Sequence, residues 1–177
     1  PPRPPGLTRG RCSAALVVYM RPSPGALESR DDARALPLVT REGADARYFD
    51  DAVFAGPDED PKNEDGWRIV VAIADVAWYV RHGDPLDKAA RERGNSAYFP
   101  DRVVPMLPEK LSNNLCSLRP GEDRACLAVD MRIDAQGQLL GHTFQRGLMR
   151  SAARLTYDQV PVPYSHLRAH ETVLNTV

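Results

Sequence analysis

The run Ile69-Val70-Val71-Ala72-Ile73-Ala74 constrains this chain more than any other feature. Branched side chains are stiff at χ1 and pack well on a pleated surface. A short unbroken apolar run of this kind reads as a strand covered on both faces. A strand needs a partner. Upstream, Asp51 to Ala55 holds Ala52-Val53-Phe54, a short strand start. Between the two, Pro57 to Gly66 carries Asp58, Glu59, Asp60, Glu64 and Asp65 against Lys62 alone, which reads as the solvated loop of a hairpin. Downstream, Leu127, Val129, Met131 and Ile133 alternate with Ala128, Asp130 and Arg132. That is the pattern of a half-buried strand. Asp134-Ala135-Gln136-Gly137 reads as a turn, and Gln138 to Met149 returns as a second strand.

The clearest helix lies between these strands, over Asp84 to Gly94. Asp84 suits the N-cap, Pro85 the first helical position, and Gly94 the left-handed residue after the end. Leu86, Ala89, Ala90 and Arg93 share one face. Residues 95–123 contain Pro100, Pro105, Pro108 and Pro120 and read as irregular, with a short helix after Pro108. Arg154 to Val160 opens a further element that Pro161 and Pro163 interrupt. The order strand, strand, helix, loop, strand, strand implies an α+β fold, an antiparallel-rich mixed sheet with flanking helices.

Composition narrows the function classes. The 177 residues suffice for one domain, and the net charge of -1 gives no bulk basic field. Any nucleic-acid contact must therefore come from local clusters or further domains. Arg91, Arg93, Arg146, Arg150 and Arg154 could contact phosphates, but they read more readily as ordinary solvated charges. Cys12, Cys116 and Cys126 form no CxxC pair, which argues against a disulfide framework and for a cytoplasmic setting. No apolar run approaches the about 20 residues of a membrane helix. Arg9 to Met20 is basic and then apolar, but no small-residue cleavage site follows, so it reads as a strand or helix rather than a targeting signal. His166 and His170 have helical ligand spacing without a matching third ligand and read as coincidental.

The chemical candidate is the stretch Glu42-Gly43-Ala44-Asp45-Ala46-Arg47-Tyr48-Phe49-Asp50-Asp51. Its carboxylates, just ahead of a buried strand, are the hard oxygen donors that magnesium requires. Adjacent Asp50 and Asp51 would point to opposite faces of a regular strand, so they can share a site only if the backbone bends there.

The stretch Leu36-Pro37-Leu38-Val39-Thr40 and the blocks GADARYFDDAVF, WRIVVAIADVAWYV, PLDKAARERGNSAYFPDRVVPMLPEKLSNNLCSL, DRACLAVDMRID and RLTYDQV occur in that order from about residue 36 to 160. Together they resemble the N-terminal part of the RNB catalytic domain of the RNase II and RNase R exoribonucleases. The resemblance implies a magnesium-dependent 3′-to-5′ exoribonuclease that hydrolyses single-stranded RNA to 5′-mononucleotides. The family's aspartate motif, D-x-x-x-x-x-D-x-D-D, falls on Glu42, Tyr48, Asp50 and Asp51. Asp50 and Asp51 are then the catalytic positions, and Glu42, Asp50 and Asp51 the Mg2+ positions. Glu42 adds a methylene and Tyr48 removes a carboxylate, so the resemblance also implies an alternative, a catalytically impaired RNA-binding pseudo-enzyme fragment. Tyr98 matches an aromatic that stacks bases, a contact indifferent to base identity. Asp75 reads as structural or as a support behind the site rather than as catalytic, and Cys116 as a buried thiol. The family's later catalytic segment and its OB-type RNA-binding domains have no counterpart here.

By this reading, residues 1–35 form a poorly specified segment and 36–160 a partial RNB catalytic domain. Residues 161–177 contain Pro163-Tyr164-Ser165-His166-Leu167-Arg168-Ala169-His170, which is similar to a peptide translated from sequencing-adapter DNA. They read as a non-native tail.

Overall fold

A computed structural model describes residues 27, 29–44, 46 and 48–160. The apolar stretch at Arg9 to Met20, the His166 and His170 pair and the 161–177 tail lie outside the described residues, as does Asp45. The strands are β1 (Asp31–Asp32), β2 (Val39–Glu42), β3 (Asp51–Pro57), β4 (Trp67–Ala74), β5 (Ala97–Tyr98), β6 (Val103–Val104), β7 (Asp123–Ile133), β8 (Leu139–Arg150) and β9 (Ala153–Thr156). Two helices, α1 (Val76–Tyr79) and α2 (Pro85–Arg93), and a π-helical turn at Leu111–Leu115 lie in the stretch between β4 and β7.

Seven strands form one mixed sheet in the order β1-β8-β7-β4-β3-β2-β9, and β5 and β6 form a separate ribbon. The fold is thus α+β with few helices. The four inner junctions of the sheet are antiparallel. The two outer ones, β1 with β8 and β2 with β9, are parallel. Hairpin patterns predict two of the inner junctions, β3 with β4 and β7 with β8. The outer ones join segments far apart in sequence and leave no local signal. The short strand β1 falls in the segment that the sequence leaves poorly specified.

The β7–β8 hairpin forms at the expected turn. Asp134 Oδ1 accepts from the Gln136 and Gln138 amides at 2.9 and 2.8 Å, and Gly137 takes a φ of 82°. The acidic loop closes the β3–β4 hairpin, but it is more than a solvated loop. Asn63 is buried within it, donating to Asp58 at 2.9 Å and to the Ile133 carbonyl at 3.2 Å. Helix α2 has the caps the sequence predicts. Asp84 accepts from the Asp87 amide at 2.8 Å, and the Gly94 amide donates to Ala90 with φ at 78°. Its buried face is narrower than expected: Leu86 and Ala90 are buried, whereas Arg93 is exposed and donates to the carbonyls of Pro105 and Met106.

One face of the sheet carries the core. Ala52, Val70, Ala72, Ala74, Cys126 and Ala128 line it, and Tyr79, Leu86, Leu111 and Leu118 pack over them. Each fully buried leucine contributes about 1.5–3 kcal/mol. The opposite face is open. Ile73 is 53% exposed, Leu127 45% and Phe144 67%. The expectation that β4 is covered on both faces is therefore corrected, because the whole 76–118 segment stacks on one side. The alternation at 127–133 does form a strand, but Ala128 lies on its buried side and Leu127 on its exposed one.

Arg30 and Asp75 lock the edge of this core. Their side chains are 3% and 5% exposed and pair at 2.7 Å. Arg30 also donates to the Cys126 carbonyl and lies 4.7 Å from the Trp78 ring centroid, while Asp75 caps α1 through the Trp78 amide. Asp75 is thus structural, as the sequence suggests. Replacing Arg30 with Met strands a buried carboxylate without its counter-charge. The expected cost is about 3–5 kcal/mol, read as a lowered urea midpoint; an unchanged midpoint refutes this account of the pair.

Candidate active site

The acidic end of the sheet is assembled from two strand termini. Glu42 is the last residue of β2, and Asp51 the first of β3. The backbone just before β3 is fixed from both sides. Phe49 is buried; its amide donates to Ser117 Oγ at 3.2 Å, and its carbonyl accepts from the Leu118 amide at 2.8 Å. The Asp50 carbonyl accepts from the Ala74 amide at 2.8 Å. Asp50 thus lies just ahead of the regular ladder, so the alternation of a strand does not force it away from Asp51.

Glu42, Asp50 and Asp51 line one open cavity of about 500 Å³, together with Gly43, Ala46 and Tyr48. The other wall is the β5–β6 ribbon, from Tyr98 to Val103. Tyr98 is 70% exposed at its rim. Beside it the Arg102 guanidinium lies 5.0 Å from the Phe99 ring centroid and pairs with Asp101 at 2.9 Å. All four residues singled out by the sequence therefore meet at one cavity. The chain brings Tyr98 there by folding back a segment some fifty residues beyond the carboxylates.

The carboxylates disturb one another. Loss of hydration raises the pKa of Glu42, the charges of Asp51 and Asp50 raise it further, and Arg154 opposes them. Asp50 is raised in the same way, first by lost hydration and then by Asp51. Its surface is accessible, yet the protein around it still displaces enough water to disfavour the charge. Cys116, 3% exposed, is pushed up to about 12, mainly by burial and then by the charge of Asp50, and stays a thiol rather than a nucleophile.

Among the described residues, no three His, Cys, Asp or Glu side chains are arranged to hold a metal ion as they stand. The donor chemistry nevertheless fits one. Carboxylates that share a cavity, with Glu42 and Asp50 raised by lost hydration and neighbouring negative charge, are the groups whose repulsion a hard divalent cation relieves. Tyr48 brings a neutral phenol to the same cavity, and that is a poor ligand.

Sequence reasoning missed Arg154. It is half-buried rather than solvated, and it donates to the carbonyls of Gly43, Ala44 and Ala46. More than a hundred residues separate it from these acceptors, so no local pattern exposes it. Of the other arginines read as solvated, Arg91 pairs with Asp87 at 3.0 Å and Arg150 with Asp123 at 2.7 Å.

Comparison with known proteins places these features in a family. The RNB domain family matches residues 30–171. Ribonuclease R of Escherichia coli strain K12 is 54% identical over 131 residues, which cover 74% of this chain and 16% of that protein. The chain thus spans about a sixth of the length of this curated relative. The structure titled "Mycoplasma genitalium RNase R in complex with ribose methylated single-stranded RNA" superposes with a TM-score of 0.76 at 32% identity, covering 82% of this chain and 22% of that one. Yeast Ssd1, titled a pseudonuclease, superposes with a TM-score of 0.70 at 18% identity over 80% of this chain and 17% of its own, and so attests the fold alone.

The raised carboxyl groups set a pH dependence. A carboxyl whose pKa is raised on folding holds its proton more tightly in the folded chain, so stability falls as pH rises from about 4 through the raised value. Above the raised value the cost is fully present. Asp50→Asn should therefore raise the melting midpoint at pH 7, and the gain should shrink towards zero below about pH 4. Calorimetric melts across this range check it; a gain independent of pH contradicts the repulsion described.

Proposed function

The chain belongs to the RNB domain family, and from that membership we propose that it is part of a magnesium-dependent 3′-to-5′ exoribonuclease acting on single-stranded RNA. The observation that carries this reading is the shared cavity of Glu42, Asp50, Asp51 and Tyr98. An anionic pocket next to an exposed aromatic is what cleavage at a strand end requires: a place for divalent charge, and a surface for the terminal bases.

Glu42 and Asp51 would hold Mg2+, with Asp50 as a further ligand. Bound there, Mg2+ supplies charge that activates water and stabilises the leaving oxygen of a phosphodiester. Asp50 has the second task of orienting the attacking water and the scissile phosphate, since it stands between Asp51 and the fixed backbone of Phe49. The exposed Tyr98 ring stacks bases without regard to identity, which suits an enzyme that consumes any sequence. The cavity is open, so an RNA end can enter it. The basic channel would come from OB-type domains of the longer protein, because this chain has a net charge of -1. No helix among the described residues is long and apolar enough to cross a membrane; the sparse cysteines are what support a cytoplasmic setting.

A second reading is favoured by one residue. Tyr48 lines the cavity where the family's motif places an aspartate. With one ligand replaced by a phenol and Glu42 longer than aspartate, the chain would retain RNA binding and lose most hydrolysis. The two readings separate in an assay with end-labelled single-stranded RNA. Mononucleotide release that requires Mg2+ and stops with a chelator supports hydrolysis; a gel shift without cleavage supports binding alone. Tyr48→Asp should raise the cleavage rate by roughly tenfold or more. No gain would contradict the ligand role assigned to that position.

A further inference from the structure

We propose that Arg154 is a positioning residue for the carboxylate site: it holds the backbone of Gly43, Ala44 and Ala46, next to Glu42, in register with Asp50 and Asp51. The proposal rests on the functional reading above and extends it to a residue outside the carboxylate set.

Two independent links run from Arg154 to the two halves of the site. On one side its Nη2 donates to the carbonyls of Gly43 at 3.2 Å, Ala44 at 2.9 Å and Ala46 at 3.4 Å. One nitrogen carries two hydrogens, so these three acceptors share them and the loop is drawn around a single point. On the other side the guanidinium carbon lies 4.8 Å from the ring centroid of Phe49, the residue immediately before Asp50. The same planar group therefore bridges the loop that follows Glu42 and the anchor that precedes Asp50.

The strand beneath is tied in the same direction. In the parallel pairing of β9 with β2, Thr40 stands opposite Arg154 and Glu42 opposite Thr156. The Tyr157 amide donates to the Glu42 carbonyl at 3.2 Å. Among the described residues no carboxylate pairs with Arg154, and its Nε is buried with no acceptor. Its orientation is thus set by the loop carbonyls and the ring, not by a counter-ion. A lysine keeps the charge and loses both the fork and the flat face.

The test uses Mn2+ as the probe, titrated calorimetrically into the chain, Arg154→Lys, Glu42→Gln and the double variant. Arg154→Lys should weaken Mn2+ binding by roughly tenfold, the usual loss when a ligand's support is removed. In the Glu42→Gln background the same change should cost less than about twofold, because the ligand that it positions is already gone. Equal losses in both backgrounds overturn the proposal. Amide exchange is measured on the same samples. Protection of Gly43, Ala44 and Ala46 should drop in Arg154→Lys while β3, β4 and β7 keep theirs. Unchanged protection in the loop, or a collapse across the whole sheet, overturns it too. If the parent chain binds no Mn2+, the functional reading fails, and the exchange result alone decides whether Arg154 holds the loop.

Discussion

The pairing of β4 on both its edges is the constraint on which the rest depends. Its ladder with β3 runs from Asp51 opposite Ile73 to Pro57 opposite Trp67, and its ladder with β7 from Ala74 opposite Cys126 to Trp67 opposite Ile133. Where β4 ends, the bonds continue outwards: the Ala74 amide reaches the Asp50 carbonyl, and the Asp75 amide the Ala125 carbonyl. The last turn of the central strand therefore fixes the first residue of the acidic pair. The buried Arg30–Asp75 pair closes the same corner, so a chemical site on flexible side chains stands on rigid backbone. Sites built on regular elements hold their geometry better than sites on loops.

Against this frame the carboxylates are a local conflict. Carboxylates crowded at one cavity disfavour one another's charge at Glu42 and Asp50, and neither has a basic partner at ion-pair distance among the described residues. Such conflicts with local consistency gather at functional sites. Arg154 relieves part of the strain on Glu42 through its charge. Its hydrogen bonds, however, go to backbone carbonyls and not to a carboxylate, which leaves the acidic oxygens available to a ligand.

Much of the sheet could be read in the sequence, with one instructive reversal. The strands at 69–74 and 127–133 follow from branched residues and from alternation. The choice of face does not. Alternation says that two sides differ, and hydropathy assigns the larger residues Leu127, Val129 and Met131 to the core. The close approach of α1, α2 and the 111–118 segment instead selects the small residues Ala72, Cys126 and Ala128, because larger ones would hold those elements away. The larger residues lie on the open face.

The site divides in the same way. Glu42, Asp50 and Asp51 are close along the chain, and their spacing in an ordered motif makes them legible without coordinates. Tyr98 is legible only through family resemblance, and Arg154, Phe99 and Arg102 not at all. Chain proximity and hydrophobic period, both local properties, are what the amino-acid order by itself determined. Tertiary structure alone decided which face of the sheet is covered, that β9 lies parallel to β2, and that an arginine more than a hundred residues away grips the Glu42 loop. Those outcomes depend on packing between segments with no neighbours in common along the chain, and a one-dimensional pattern carries no record of them.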